Sequence, residues 1–195
     1  INSFDPELDV NRQYASAGTM KLINVNYYFM RLPDKTFEIK KVITKDIEIN
    51  TPFAAFIPAH FISESSERLK YYKQLSNSKS IEDITSLKET IFDIYGPGPE
   101  EFNQLIAILE ARSYLMPCGV KSAQLIDNTV IFQFDQTSVE ANEELRNNIL
   151  NNFLNMTRKY RFTPDFKLIY THKTTISPSG LVEFCQEIAE KIVPS

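Results

Sequence analysis

The spacing of apolar residues along the chain changes near residue 63, where a strand-like pattern gives way to a helical one. Residues 1–20 are polar and aperiodic, whereas residues 21–32 and 36–49 are rich in β-branched and aromatic types. A Pro-Asp-Lys turn sequence separates these two runs at positions 33–35. The first part of the chain is therefore predicted to form an N-terminal β-hairpin.

Two amphipathic helices are predicted after this hairpin, because apolar residues recur there at intervals of three and four. Their apolar positions are Leu69, Tyr72 and Leu75 in the first helix, and Ile81, Ile84, Leu87, Ile91 and Tyr95 in the second. Ser80 and Asp83 occupy capping-box positions at the start of the second helix. A Gly-Pro-Gly-Pro sequence at 96–99 is expected to end it.

A third helix is predicted to begin at Pro99, because proline is tolerated at the first helical position. Glu100 and Glu101 suit the positive end of its dipole, and Pro117 and Gly119 are expected to close it. Its apolar face comprises Phe102, Leu105, Ile106 and Leu109.

The last third of the chain mixes strands and helices. Residues 120–126 and 129–135 alternate in polarity about an Asp-Asn turn, and residues 166–171 form a further short strand. A final helix is predicted to start at Ser177 and Pro178. Between these strands, another helix is predicted through Leu145, Ile149, Phe153, Met156 and Tyr160.

Helices precede and follow a small sheet in this pattern instead of alternating strictly with parallel strands. The predicted fold class is therefore α+β, with a small antiparallel sheet packed with about five helices and preceded by the N-terminal β-hairpin. Residues 1–45 are interpreted as an N-terminal extension that carries the hairpin, and residues 46–195 as the main domain.

The charge balance argues against a duplex-binding domain. The net charge is −4 and the pI is about 5.3, whereas such domains normally carry a positive surplus. Lys35, Lys40, Lys41 and Lys45 nevertheless gather on the predicted hairpin, where they could contact a phosphate backbone. Lysines on a strand more often form a solvated face that protects an edge from mispairing. A nucleic-acid-binding module is therefore the alternative function.

No catalytic, cofactor-binding or metal-binding residue is predicted. None of the five glycines opens a phosphate-binding loop. His60 and His172 are far apart in sequence and belong to no ligand cluster. Cys118 and Cys185 lie among apolar residues and are interpreted as small buried hydrophobes. A metal-free hydrolase with a carboxylate pair is a third hypothesis, although no spacing among the acidic residues singles out such a pair.

No secretory segment and no apolar run long enough to span a bilayer are present in the sequence. A cytoplasmic location is therefore expected. The chain opens on Ile1 instead of methionine, which is typical of an excised fragment.

Several short motifs go beyond periodicity. They are PAHFI at 58–62, RLKYYKQL at 68–75, DIYGPGPEE at 93–101, CGV at 118–120 and YRF at 160–162. In this order and separation they resemble the C-terminal domain of bacterial transcription-repair coupling factors, the TRCF family. The resemblance covers about residues 46–193.

The resemblance implies a non-catalytic regulatory domain within a larger ATP-dependent DNA translocase of transcription-coupled nucleotide excision repair. In that family the translocase pushes stalled RNA polymerase off a lesion and recruits the excision-repair subunit UvrA. The C-terminal domain docks on the N-terminal UvrB-like module of the same protein, masks the UvrA-binding surface and holds the free protein in an inhibited state. The chain itself is expected to be no enzyme and to bind no cofactor, metal or membrane.

By the same resemblance, acidic residues at the end of the second helix are expected to contact the partner module. Asp93 matches the aspartate of the family motif, and Glu89 stands next to Thr90, where the motif has a glutamate. The motif's arginine is Ile94 in this chain. Asp93 and Glu89 are therefore the candidate partner-binding residues. The other motif residues are expected to support the fold, namely Arg68, Tyr72 and Tyr95.

Overall fold

The computed structural model describes the chain from residue 47 to 153 and from 160 to 193, together with the backbone of three short strands nearer the N-terminus. The strands are β1 (Met20–Lys21), β2 (Tyr27–Arg31), β3 (Phe37–Lys41), β4 (Glu48–Thr51), β5 (Val120–Ile126), β6 (Thr129–Phe134), β7 (Tyr160–Phe162) and β8 (Lys167–Thr171). The helices are α1 (Ser65–Asn77), α2 (Ile81–Tyr95), α3 (Glu100–Leu115), α4 (Gln136–Ala141), α5 (Glu143–Phe153) and α6 (Pro178–Ile192). A 3-10 turn, Met116–Cys118, follows α3.

The main sheet has six strands in the order β1-β4-β5-β6-β8-β7. Its neighbours are antiparallel except for β4 and β5, which are parallel. Helices α1, α2 and α3 form the crossover between these two strands, and a parallel pair requires a connection of that kind. The α+β prediction is confirmed, with one parallel pair in a sheet that was expected to be wholly antiparallel.

The N-terminal hairpin consists of β2 and β3, which pair antiparallel from Tyr27 opposite Lys41 to Arg31 opposite Phe37. The predicted second strand, 36–49, is in fact two strands, because β3 pairs with β2 whereas β4 lies in the main sheet. Lys40 and Lys41 lie in β3, whereas Lys35 and Lys45 fall outside the described residues.

Among the described residues, helices cover one face of the main sheet and leave the other uncovered. In β6, buried Val130, Phe132 and Phe134 alternate with partly exposed residues. The ring centroid of Phe184 of α6 lies 5.6 Å from that of Phe132. Tyr170 of β8 stacks on Phe184, with 4.3 Å between the ring centroids. Each fully buried phenylalanine stabilises the fold by about 1.5–3 kcal/mol, so this aromatic layer fixes α6 on the sheet.

Several helix ends follow the predicted capping chemistry. Ser80 and Asp83 form the capping box of α2, with each side chain accepting a hydrogen bond from the backbone N–H of the other residue. Ser177 accepts from Gly180 N–H at the start of α6. Pro99 is the residue before α3 instead of its first helical residue, a shift of one position.

Two predictions from apolar spacing are wrong in detail, and one short helix was not predicted. Leu69 of α1 is 50% exposed, because the buried face of that helix contains Tyr71 and Leu75. Tyr160 belongs to strand β7, since α5 ends at Phe153. The short helix α4 is an addition, started by Asp135, whose carboxylate accepts from Thr137 N–H at 3.0 Å. The predicted helical position Met156 lies outside the described residues.

The corner between α2 and α3 depends on the absence of a side chain at Gly98. A Cβ atom there would lie 2.5 Å from Phe102 Cδ1 and 2.8 Å from Phe92 Cε1. Phe102 is fully buried and cannot move aside without disturbing the core. We expect Gly98→Ala to lower the free energy of unfolding by about 1–3 kcal/mol through overpacking.

Urea denaturation measures this effect, and Pro97→Ala is the matched control because Pro97 is exposed in the same corner. Equal stabilities for the two variants would contradict the steric explanation.

Candidate docking surface

The outward face of α2 carries the two acidic residues that the sequence singled out. Glu89 and Asp93 are both exposed and lie four residues apart, so they occupy neighbouring positions on one side of the helix. Between residues 47 and 193, the described side chains and backbone groups include no hydrogen-bond or ion-pair partner for either carboxylate. Both groups are therefore available to a partner.

Two further residues complete this face. Thr90 is exposed, and its hydroxyl donates a hydrogen bond to the Ser86 carbonyl at 2.9 Å, so it is satisfied within the helix. Ile94 is 60% exposed at the C-terminal end of α2. Glu89, Thr90, Asp93 and Ile94 together are called the α2 surface below. It combines two free carboxylates with an apolar side chain at the end of the helix.

The lysine of α2 does not neutralise these acids. Lys88 Nζ lies 5.6 Å from the centre of the Phe92 ring. Burial raises the pKa of Glu110 on α3, and the positive charge of Lys88 opposes that rise, which places the lysine on the side of α2 that faces α3. Lys88 therefore lies away from the two carboxylates of the α2 surface.

Tyr95 fixes the end of α2 against α1. Its hydroxyl donates a hydrogen bond to the Glu67 carboxylate. Its ring packs edge-on against Tyr71 and Phe61, with centroids 6.0 Å away in each case. The hydrogen bond to Glu67 raises the pKa of Tyr95 well above its usual value, because loss of the proton would place two negative charges side by side. Tyr95 thus stays a neutral donor.

The motif residues of α1 hold the preceding loop. Tyr72 accepts a hydrogen bond from Ile57 N–H at 2.6 Å. Arg68 donates to the carbonyls of Ile62 and Ser63, both at 2.7 Å. These contacts use the side chains inside the domain, which agrees with a role in the fold.

The turn after α2 is equally constrained. Gly96 has φ = 84°, a left-handed conformation that favours glycine, and its N–H donates to the Phe92 carbonyl at 2.8 Å. Asn103 of α3 donates to the Gly98 carbonyl at 2.8 Å. The α2 surface is therefore presented by a helix whose end is held from both sides, and a rigid surface loses little entropy on binding.

Sequence reasoning missed Arg112, which is only 6% exposed although it is charged. Its guanidinium donates to the carbonyls of Ser76 and Ser78 at 3.0 and 3.1 Å, at the C-terminal end of α1. A positive charge at that end also complements the helix dipole. The available signal was a single arginine on the predominantly apolar second half of α3, and it did not reveal the partner.

The other residues considered for chemistry are not brought together. His60 is exposed, and His172 contacts Thr174 in its own loop. Cys118 and Cys185 are free and buried, and burial raises the pKa of the Cys118 thiol to about 12. Among the described residues, no group of three or more His, Cys, Asp or Glu side chains could hold a metal ion. None of the described helices is long and apolar enough to cross a membrane.

The fold and the α2 surface define an α+β domain that presents a rigid acidic helix end. Residues 51–145 match the family model of the TRCF domain. A crystal structure of the C-terminal domain of a transcription-repair coupling factor has the same fold, with a TM-score of 0.60 at 18% identity over 75% of this chain and 94% of that chain.

Two curated relatives are also transcription-repair-coupling factors. The transcription-repair-coupling factor of Rickettsia bellii is 25% identical over 125 residues, which cover 64% of this chain and 11% of that protein. That of Myxococcus xanthus is 20% identical over 175 residues, which cover 88% of this chain and 14% of that protein. The chain thus spans only a small part of the length of these relatives. The resemblance drawn from the motifs is confirmed, since residues 51–145 match the TRCF domain model and both relatives are transcription-repair-coupling factors.

The hydrogen bond from Tyr95 is expected to stabilise both the domain and the end of α2. Tyr95→Phe removes the donor to Glu67, and we expect a lower free energy of unfolding than in the unchanged chain. Amide hydrogen exchange at the last turn of α2 should also become faster, because that turn loses its link to α1.

Tyr114→Phe is the matched control for this variant, since the described part of the chain offers its hydroxyl no hydrogen-bond partner. If Tyr114→Phe destabilised the domain as much as Tyr95→Phe, the role assigned to the Glu67 contact would be wrong.

Proposed function

We propose that this chain is the non-catalytic regulatory domain of a transcription-repair coupling factor and that it docks on the UvrB-like module of the same protein through the α2 surface. In this proposal docking masks the UvrA-binding surface and restrains the ATP-driven DNA translocase until the protein engages stalled RNA polymerase. The observation that carries the proposal is the pair of exposed carboxylates, Glu89 and Asp93, on α2, the helix in whose last turn the motif at 93–101 begins.

The proposed contact is weak when each residue is taken alone. An exposed ion pair contributes about 0–1 kcal/mol, so Asp93 and Glu89 cannot by themselves hold two modules together. Burial of the exposed Ile94 side chain would add an apolar contribution at the edge of the same surface. Ile94 thus supports the proposal although it replaces the arginine of the motif.

Covalent connection makes such a weak contact sufficient. Two modules of one protein meet at a high effective concentration, so docking needs little intrinsic affinity. A contact of this strength is also released easily when engagement of stalled RNA polymerase stabilises the undocked state. These properties support a switch in preference to a permanent interface.

The proposal assigns the chemistry of the parent protein to parts outside this chain. ATP binding and translocation would belong to the motor, and the 195-residue sequence contains no phosphate-binding loop. A cytoplasmic location is proposed along with this role, since the DNA, RNA polymerase and UvrA that the parent would meet are there in bacteria.

The first test is a binding titration of this chain against the isolated UvrB-like module. Asp93→Arg reverses the charge of the α2 surface, and we expect roughly tenfold weaker binding together with greater UvrA access in the full-length protein. Glu183→Arg is the matched control, because Glu183 is exposed on α6 and makes the same charge change on another helix.

Unchanged binding by Asp93→Arg would argue against Asp93 as a contact, and ATPase activity in the purified chain would contradict a non-catalytic role. The nucleic-acid alternative predicts a different result, namely salt-dependent DNA binding that disappears when Lys40 and Lys41 are replaced by alanine.

A further inference from the structure

We draw no further inference here: the strongest candidate, the face of the main sheet opposite Phe132, on which the half-buried Ile131 and Ile169 lie in one row with the exposed Arg161, is a surface for which nothing in the described part of the chain shows what covers it.

Discussion

The burial of helix α3 is the constraint on which the rest of this domain depends. Its sixteen residues include eight buried side chains, which are distributed around the helix instead of along one stripe. A helix of that kind must have partners on several sides. Helix α2 supplies one and α6 supplies another, and Arg112 adds hydrogen bonds to the C-terminal end of α1. Because α3 also ends the crossover from β4 to β5, its position sets the order of the central strands.

The same constraint explains why α2 can present a fixed surface. Ile84 and Ile91 bury one side of α2, so its opposite side faces outward. The corner to α3 is closed by the packing of Phe92 and Phe102 around Gly98, and Tyr95 links the last turn to α1. The backbone of this helix is therefore held in one position relative to the core, so the acidic side chains on its outward face project from fixed points.

Local patterns predicted the elements well where one face of each element is buried and the signal is short-range. The α2 capping box, the β5–β6 hairpin and the start of α6 followed from neighbouring residues. Tyr160 and Leu69 were misplaced because helical spacing cannot show where a chain turns into a strand or which of two tyrosines faces the core. The Arg112 contacts join residues more than thirty positions apart, and no local pattern encodes such a pairing. For the candidate site, the motif identified Asp93 and Glu89, but only the folded structure shows that both side chains are exposed.

Two exposed surfaces formed by the described residues differ in the sign of their charge, and this difference limits what each can bind. The α2 surface carries two exposed carboxylates beside Ile94. The sheet face opposite Phe132 carries the exposed Arg161 in one row with the half-buried Ile131 and Ile169. A partner complementary to one is repelled by the other, because like charges across an interface cost several kcal/mol.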